Sequence, residues 1–380
     1  MMYGSYRDTW TEVSLDAIEA NVQSFRRHIG ASGFMAVVKA DGYGHGAVQV
    51  ATAAVDAGAD YLGVALLDEA LQLREAGIDT PILVLGYTAP HGIEEAVKHD
   101  ITLTVFSDES VAEMEQAASV WNKQAKVHLK IDSGMNRIGI RDQNEALQIC
   151  ESFVASKKVE LEGIFTHFAD ADNPDSAYTY QQFKNFMALL DYLNEHQIQI
   201  PLKHCCNSAA TIIYPEMHLD MVRVGISLYG LYPSEHMRDK LHLKQAMSLK
   251  TKPAMIKEVK SGHPISYGCT YTPEVTSVIA TLPVGYADGL SRQLSNMGHM
   301  TVKGVRVPIV GRVCMDQTMI DVTAAQQMSK ADVVTIFGDP DDGYISLGEV
   351  ANHMQTIHYE TVCLIGKRVP RVYVTNATKL

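Results

Sequence analysis

Apolar residues over the first two-thirds of the chain alternate between two patterns. Short runs that are apolar at consecutive positions and rich in β-branched residues fall at 34–39, 61–65, 82–85, 101–106, 127–131, 159–167, 202–207 and 221–229. Between most of them the apolar residues recur at helical spacing, as in 47–57, 68–76, 144–155 and 176–194. A capped amphipathic helix precedes the series at 14–29, with Ile18, Val22 and Phe25 on one face and Gly30 ending it. Strands apolar on both sides and separated by helices are the mark of a parallel sheet covered on both faces. Eight strand–helix units predict an α/β fold of the (β/α)8 TIM-type barrel kind, with a doubly wound open sheet as the alternative.

Beyond about residue 240 the helical spacing nearly vanishes and β-branched runs recur at 277–282, 300–307, 319–322, 332–337 and 371–375. Turn signals at Gly262, Gly304 and Asp339-Pro-Asp-Asp-Gly343 separate them. The pattern predicts a barrel domain over 1–240 and a mostly β domain over 241–380, with the first ten or so residues free to join the second.

Polar residues interrupt the barrel runs where strands end, which is where barrel enzymes carry their reactive groups. The first run ends in Lys39, the fifth in Lys130-Ile-Asp132, the sixth in His167 and the seventh in Asn207-Ser208, while Arg223 lies within the eighth. Desolvation lowers the pKa of a buried amine, which is what an amine needs to form a Schiff base with an aldehyde. One such lysine alone fits a snorkelling role better; five polar groups in these positions do not. The glycine-rich segment Asp41-Gly-Tyr-Gly-His-Gly46 lacks the G-x-G-x-x-G spacing of a dinucleotide site. The backbone of Gly225 and Ile226, beside the barrel mouth, offers donors for a phosphate.

Composition narrows the partners. A formal charge of −12 without a run of Lys and Arg argues against nucleic acid and anionic membranes. Arg7, Asp8, Glu12, Asp16 and Glu19 leave no apolar leader in the first twenty residues, which predicts a cytoplasmic location. Six irregularly spaced cysteines signal neither disulfides nor a zinc site, so reduced core thiols and no metal are expected. Asn376-Ala-Thr378 spells a glycosylation acceptor that has meaning only in a secreted chain.

Nine segments in one order, from residue 36 to 360, resemble the fold-type III pyridoxal 5′-phosphate (PLP) enzymes, and among them the alanine racemase family. They include Val38-Lys-Ala-Asp-Gly-Tyr-Gly-His45, Lys130-Ile-Asp-Ser-Gly-Met-Asn-Arg137, Thr166-His167, His204-Cys-Cys-Asn-Ser208 and Arg223-Val-Gly-Ile-Ser227. Later ones are Ser266-Tyr-Gly268, Gly285-Tyr-Ala-Asp-Gly289, Arg312-Val-Cys-Met-Asp316 and Ile357-His-Tyr-Glu360. The resemblance implies interconversion of L- and D-alanine for peptidoglycan. Lys39 would carry PLP as a Schiff base and serve one face of the substrate Cα, with Tyr267 serving the other. Inverting a centre requires such a pair, because the proton leaves one side and returns to the other.

The resemblance further implies that His167 links Tyr267 to Arg223, and that Arg223 faces the pyridine nitrogen. Tyr43, Asn207, Ser208, Gly225, Ile226 and Tyr359 would hold the cofactor, chiefly its phosphate. Arg137 and the backbone N–H of Met315 would bind the substrate carboxylate, with Lys130, carbamylated in many members, positioning Arg137. Tyr267 and Met315 would cross to the partner of a homodimer, and Tyr271, Tyr286 and Asp316 would line the entrance. Three other readings share the fold: a broad-specificity or serine racemase, a basic amino-acid decarboxylase and a non-catalytic PLP carrier. The Cys314-Met-Asp316 segment opposes the decarboxylase, and Tyr267 with the second domain opposes the carrier.

Overall fold

The computed structural model describes residues 6–325 and 327–375, so Asn376-Ala-Thr378 lies outside the described residues. The chain divides into two compact units. Of the described residues, one contains Ile18–Gly42 and Ala47–Leu243, the other those up to Ala17, Tyr43–Gly46 and those from Lys244 onward.

The first unit is built on a sheet of eight parallel strands in the order β8-β7-β6-β5-β4-β3-β2-β9. These are β2 (Gly33–Val37), β3 (Tyr61–Val64), β4 (Ile82–Val84), β5 (Thr102–Val105), β6 (Ala125–Lys130), β7 (Val159–Phe165), β8 (Leu202–His204) and β9 (Met221–Val224). β2 and β9 pair in parallel, and the backbone N–H groups of Asp220 and Arg223 donate to the carbonyls of Lys203 and Cys206, each at 3.1 Å. Those bonds join the two ends of the strand order into a nearly closed barrel, which decides against an open doubly wound sheet. β3, β4, β5 and β9 are buried at every position, as expected of largely apolar strands covered on both faces.

Three sequence expectations change here. The eighth run is a strand only to Val224; its remainder, Ile226–Tyr229, is a tight 3₁₀ turn closed by Gly230 in a left-handed conformation. Lys39 stands two residues past the end of β2, at the head of a turn in which Ala40, Asp41, Gly42 and Tyr43 all have positive φ. Of the cysteines, Cys150, Cys205 and Cys206 are buried core thiols, but Cys269 and Cys363 are exposed and Cys314 is partly so.

The second unit contains a six-stranded sheet in the order β14-β13-β16-β10-β1-β17 and a three-stranded one in the order β11-β12-β15. Its strands are β1 (Thr9–Ser14), β10 (Met247–Thr251), β11 (Met255–Val259), β12 (Ser277–Leu282), β13 (His299–Val302), β14 (Val305–Pro308), β15 (Thr318–Asp321), β16 (Val334–Phe337) and β17 (Arg371–Val374). β1 pairs antiparallel with β10 and parallel with β17, so the N-terminal strand sits inside this sheet. Ahead of it, Arg7 makes a two-pronged ion pair of 3.0 and 2.8 Å with Asp288, whose side chain is almost wholly buried.

The run at 300–307, expected as one strand, is a hairpin. Lys303 and Gly304 both have positive φ, the geometry of a two-residue turn whose twist matches the flanking strands. Two helices, Leu347–His353 and His358–Cys363, correct the expectation that helical structure is almost absent here. At two turns or fewer each, they leave too little periodicity to separate from loop.

Candidate active site

Polar groups converge inside and above the first unit's barrel. Lys39 is partly buried, and the strained turn behind it is held by two carboxylates. Glu69 accepts the N–H groups of Ala40 at 2.6 Å and Ala65 at 2.7 Å, and Asp41 accepts the N–H of Ala47 at 2.9 Å. Left-handed backbone at Ala40 and Asp41 costs roughly 1 to 2 kcal/mol each, so it persists only where neighbours fix it.

Arg223 is buried and its guanidinium is richly bonded. One terminal nitrogen donates to His204 Nδ1 at 2.9 Å. The other donates to the carbonyls of Thr166 and Cys205, at 2.8 and 3.0 Å, and to His167 Nδ1 at 3.2 Å. Among the described residues Nε–H finds no acceptor. Burial pulls the guanidinium down to about 10, which still leaves it a cation at neutral pH.

The bonds to Arg223 fix histidine tautomers by elimination. His204 uses Nδ1 as an acceptor, so its proton sits on Nε2, which lies 2.9 Å from His128 Nδ1. His128 therefore accepts at Nδ1 and donates from Nε2 to Glu162, 3.0 Å away. Tyr61 donates to the same Glu162 oxygen at 2.7 Å, and Lys126 Nζ stands 3.2 Å from the other. A single direction of donation thus runs from Arg223 through two neutral, fully buried imidazoles to a carboxylate. Burial pushes His204 and His128 below the ordinary histidine value, with the Arg223 charge adding to it. Burial would raise Glu162, but the hydrogen bonds from His128 and Tyr61 and the Lys126 charge outweigh it and hold the carboxyl at about 2.

His167 follows the same logic: Arg223 takes its Nδ1, leaving Nε2–H as its donor. Burial, then the charges of Arg223, Lys130, Arg137 and Lys39, press its pKa well below the usual value, so it is neutral at physiological pH. Lys130 Nζ lies 4.1 Å from the centre of the Phe165 ring, and burial, followed by the Arg223 and Arg137 charges, pushes it far below the ordinary lysine value. Arg137 is exposed on the loop beyond β6, where Asp132 accepts the N–H groups of Gly134 and Asn136 at 3.0 and 2.9 Å. Ser208 Oγ accepts the N–H of Gly225 at 2.9 Å, Asn207 caps the short helix Ser208–Ile213, and Ile226 is buried.

The barrel therefore brings together Lys130, His167 and Arg223, with the Lys39 charge acting on His167, and separately joins Asn207, Ser208 and Gly225. His204, His128, Glu162 and Tyr61 carry no role in the sequence reading. The available signal was a histidine in β6, which also carries Lys126 and Lys130, and one of the two glutamates of β7, Glu160 and Glu162. Gly163 belongs with them, since a Cβ there would meet the His128 ring at 2.6 Å.

In the other unit Tyr43 is buried, and Gly44 lies so close to the Val362 carbonyl that a Cβ would approach it at 2.5 Å. This fixes the Tyr43–Gly46 segment against the helix His358–Cys363, which carries Tyr359. Tyr267 and Met315 are 74% and 53% exposed and line an open cleft of about 710 Å³ with Ser266, Cys314 and Asp316. Tyr271 and Tyr286 do not line that cleft.

Family models for the N-terminal and C-terminal domains of alanine racemase match residues 13–233 and 246–373. Alanine racemase 1 of Oceanobacillus iheyensis is 59% identical over 98% of this chain and 100% of its own length. The crystal structure of alanine racemase from Bacillus anthracis with bound L-Ala-P has a TM-score of 0.90 and 44% identity, covering 98% of this chain and 96% of that one. A histidine racemase from Leuconostoc mesenteroides subsp. sake also has a TM-score of 0.90, at 31% identity, covering 98% of this chain and 99% of that one. With both domains matched in order along one polypeptide, the chain belongs to the alanine racemase family.

Proposed function

We propose that the chain interconverts L- and D-alanine using pyridoxal 5′-phosphate carried by Lys39, as a homodimer. The observation that carries the reading is Arg223: a buried cation whose terminal nitrogens are engaged and whose Nε–H is left for a ring-nitrogen acceptor. The donor set fits the rest of the cofactor. Lys39 is an amine at a barrel mouth, and Ser208, Gly225 and Ile226, with Asn207 bracing them, suit a phosphate. The resemblance assigns Tyr43 and Tyr359 to that phosphate as well.

PLP, when bound, withdraws electrons from the substrate and makes its Cα–H acidic. Arg223 remains a cation at neutral pH, so it donates a hydrogen bond to the ring nitrogen without giving up a proton. Lys39 takes or returns the Cα proton on one face, and Tyr267 of the partner subunit does so on the other. Neutral His167, its Nδ1 occupied by Arg223, holds its proton at Nε2 for the Tyr267 oxygen. Arg137 and the Met315 N–H of the partner subunit clamp the substrate carboxylate. Burial, followed by the Arg223 and Arg137 charges, lowers the pKa of Lys130, which favours the uncharged amine that takes up CO2 as a carbamate.

Exposure of Tyr267 and Met315 on the single chain supports their projection into a second copy. Among the described residues no helix is long and apolar enough to cross a membrane. Free cysteines and an acidic surface support a cytoplasmic enzyme supplying D-alanine for peptidoglycan, without nucleic-acid partners. The test is incubation with PLP and L-alanine in D2O. Deuterated D-alanine should form, disappear in Lys39→Ala and fall strongly in Tyr267→Phe; no racemisation despite a Lys39-bound chromophore refutes the alanine assignment. Since the histidine racemase shares this fold, a panel of amino acids run alongside measures breadth. An active, stable monomer in sedimentation refutes the shared site.

A further inference from the structure

We propose that His299, Glu349 and His353 form a binding site for a divalent transition metal in the second unit, with Arg306 as the built-in competitor for it. His299 opens β13, Arg306 lies on the neighbouring edge strand β14, and Glu349 and His353 stand one turn apart on the helix Leu347–His353. One ring nitrogen from each histidine and one carboxylate oxygen all lie within 4.8 Å of one another, and Glu349 Oε1 is 3.8 Å from His353 Nε2. All three residues are partly buried, open enough for an ion to enter and enclosed enough to limit side-chain freedom.

Two imidazoles and a carboxylate select a borderline ion such as Zn2+, Co2+ or Ni2+ over Ca2+ or Mg2+, which prefer oxygen alone. Metal–ligand bonds of about 2.0 to 2.2 Å place ligand atoms roughly 3.3 Å apart, so the three must draw in by about 1 Å or somewhat more.

A cation already occupies this focus. Arg306 donates to both carboxylate oxygens of Glu349, one of them at 3.0 Å, and the same guanidinium reaches to 3.4 Å from His299 Nδ1. The acceptors are therefore aimed at one point, and metal and guanidinium exclude each other there. The Arg306 side chain is half exposed, so it can turn out to solvent when a metal takes its place. Bound metal would fasten the β13–β14 hairpin to the helix Leu347–His353. The sequence hides such a site because fifty residues separate its first two ligands, which matches no metal-binding spacing.

The test uses untagged, metal-stripped, PLP-loaded protein titrated with Co2+ and then Zn2+, followed by visible absorption, calorimetry and thermal melting. The expected result is one Co2+ per chain with bands of nitrogen and oxygen coordination, displaced by Zn2+. Glu349→Gln and His353→Ala should each weaken binding by about tenfold or more, the usual scale for losing one metal-supporting group. Arg306→Met should tighten it, and Zn2+ should raise the Tm of the wild-type chain but not of His353→Ala. Glu349→Gln is nearly isosteric, which guards against a variant that merely misfolds. No 1:1 binding by the wild-type chain up to about 1 mM metal overturns the proposal. So do a thiolate charge-transfer band, which would mark cysteine ligands, unchanged affinity in both ligand variants, and unchanged affinity in Arg306→Met.

Discussion

Replacing Glu162 by Gln removes the charge at the end of the buried chain that begins at Arg223 while keeping the shape of the side chain. The drop of the carboxyl from 4.5 to about 2 corresponds to about 3 kcal/mol of stability at neutral pH. Water reaches the side chain, 14% exposed, and Lys126 pairs with it near the surface, which trims the expectation to about 2 kcal/mol. The sign follows from a folded value below the unfolded one: the contribution is complete above the unfolded value of 4.5 and is lost as pH falls toward 2. Urea unfolding of wild type and variant should therefore differ by about 2 kcal/mol at pH 7, with the gap narrowing by about 0.8 kcal/mol at pH 4 and further below. Histidine 15N shifts in the wild-type protein provide the second readout, with His128 and His204 both protonated on Nε2. Equal stabilities at pH 7, a gap independent of pH, or an Nδ1–H tautomer at either histidine would each refute the chain of donation.

Three further outcomes are expected. Gly163→Ala drives a methyl into the His128 ring, which a Cβ would meet at 2.6 Å, and should cost about 1 to 3 kcal/mol in urea unfolding. Arg223→Lys keeps the charge but loses the fork that reaches His204, His167 and two carbonyls; it should lower kcat/KM about a hundredfold and reduce Tm even before PLP is added. Lys130, whose pKa burial lowers, should form a carbamate, so 13C-labelled CO2 should add one carbamate resonance that Lys130→Arg lacks.

The barrel was legible because a strand buried on both faces must be apolar throughout, and β3, β4, β5 and β9 meet that demand with no polar residue except Arg223 and the threonines of β5. The same rule made Arg223 and Lys130 conspicuous. It concealed the strained turn after Lys39, because nothing in the residues Ala40 and Asp41 announces a positive φ; their conformation is imposed by Glu69 and by the helix start at Ala47. Hairpins and short helices of the second unit were lost for a different reason: four-residue strands and helices of six or seven residues are shorter than the window over which periodicity becomes visible.

The relay shows the limit most clearly. His128, Glu162 and His204 stand on β6, β7 and β8, separated by thirty-four and forty-two residues in sequence yet hydrogen-bonded in line within the barrel. Several polar residues interrupt each of these strands, and which of them pair is identified only once the order of strands is known. Since adjacent barrel strands are also consecutive in sequence, β6, β7 and β8 must be neighbours. Gly163 then supplies the missing constraint: at this position on β7 any side chain would occupy the space of the His128 ring, so the glycine and the histidine must be read as one feature. The orientation of Arg223 thus depends on residues distributed along three strands, and a substitution at Glu162 or Gly163 reaches the proposed cofactor site without touching it.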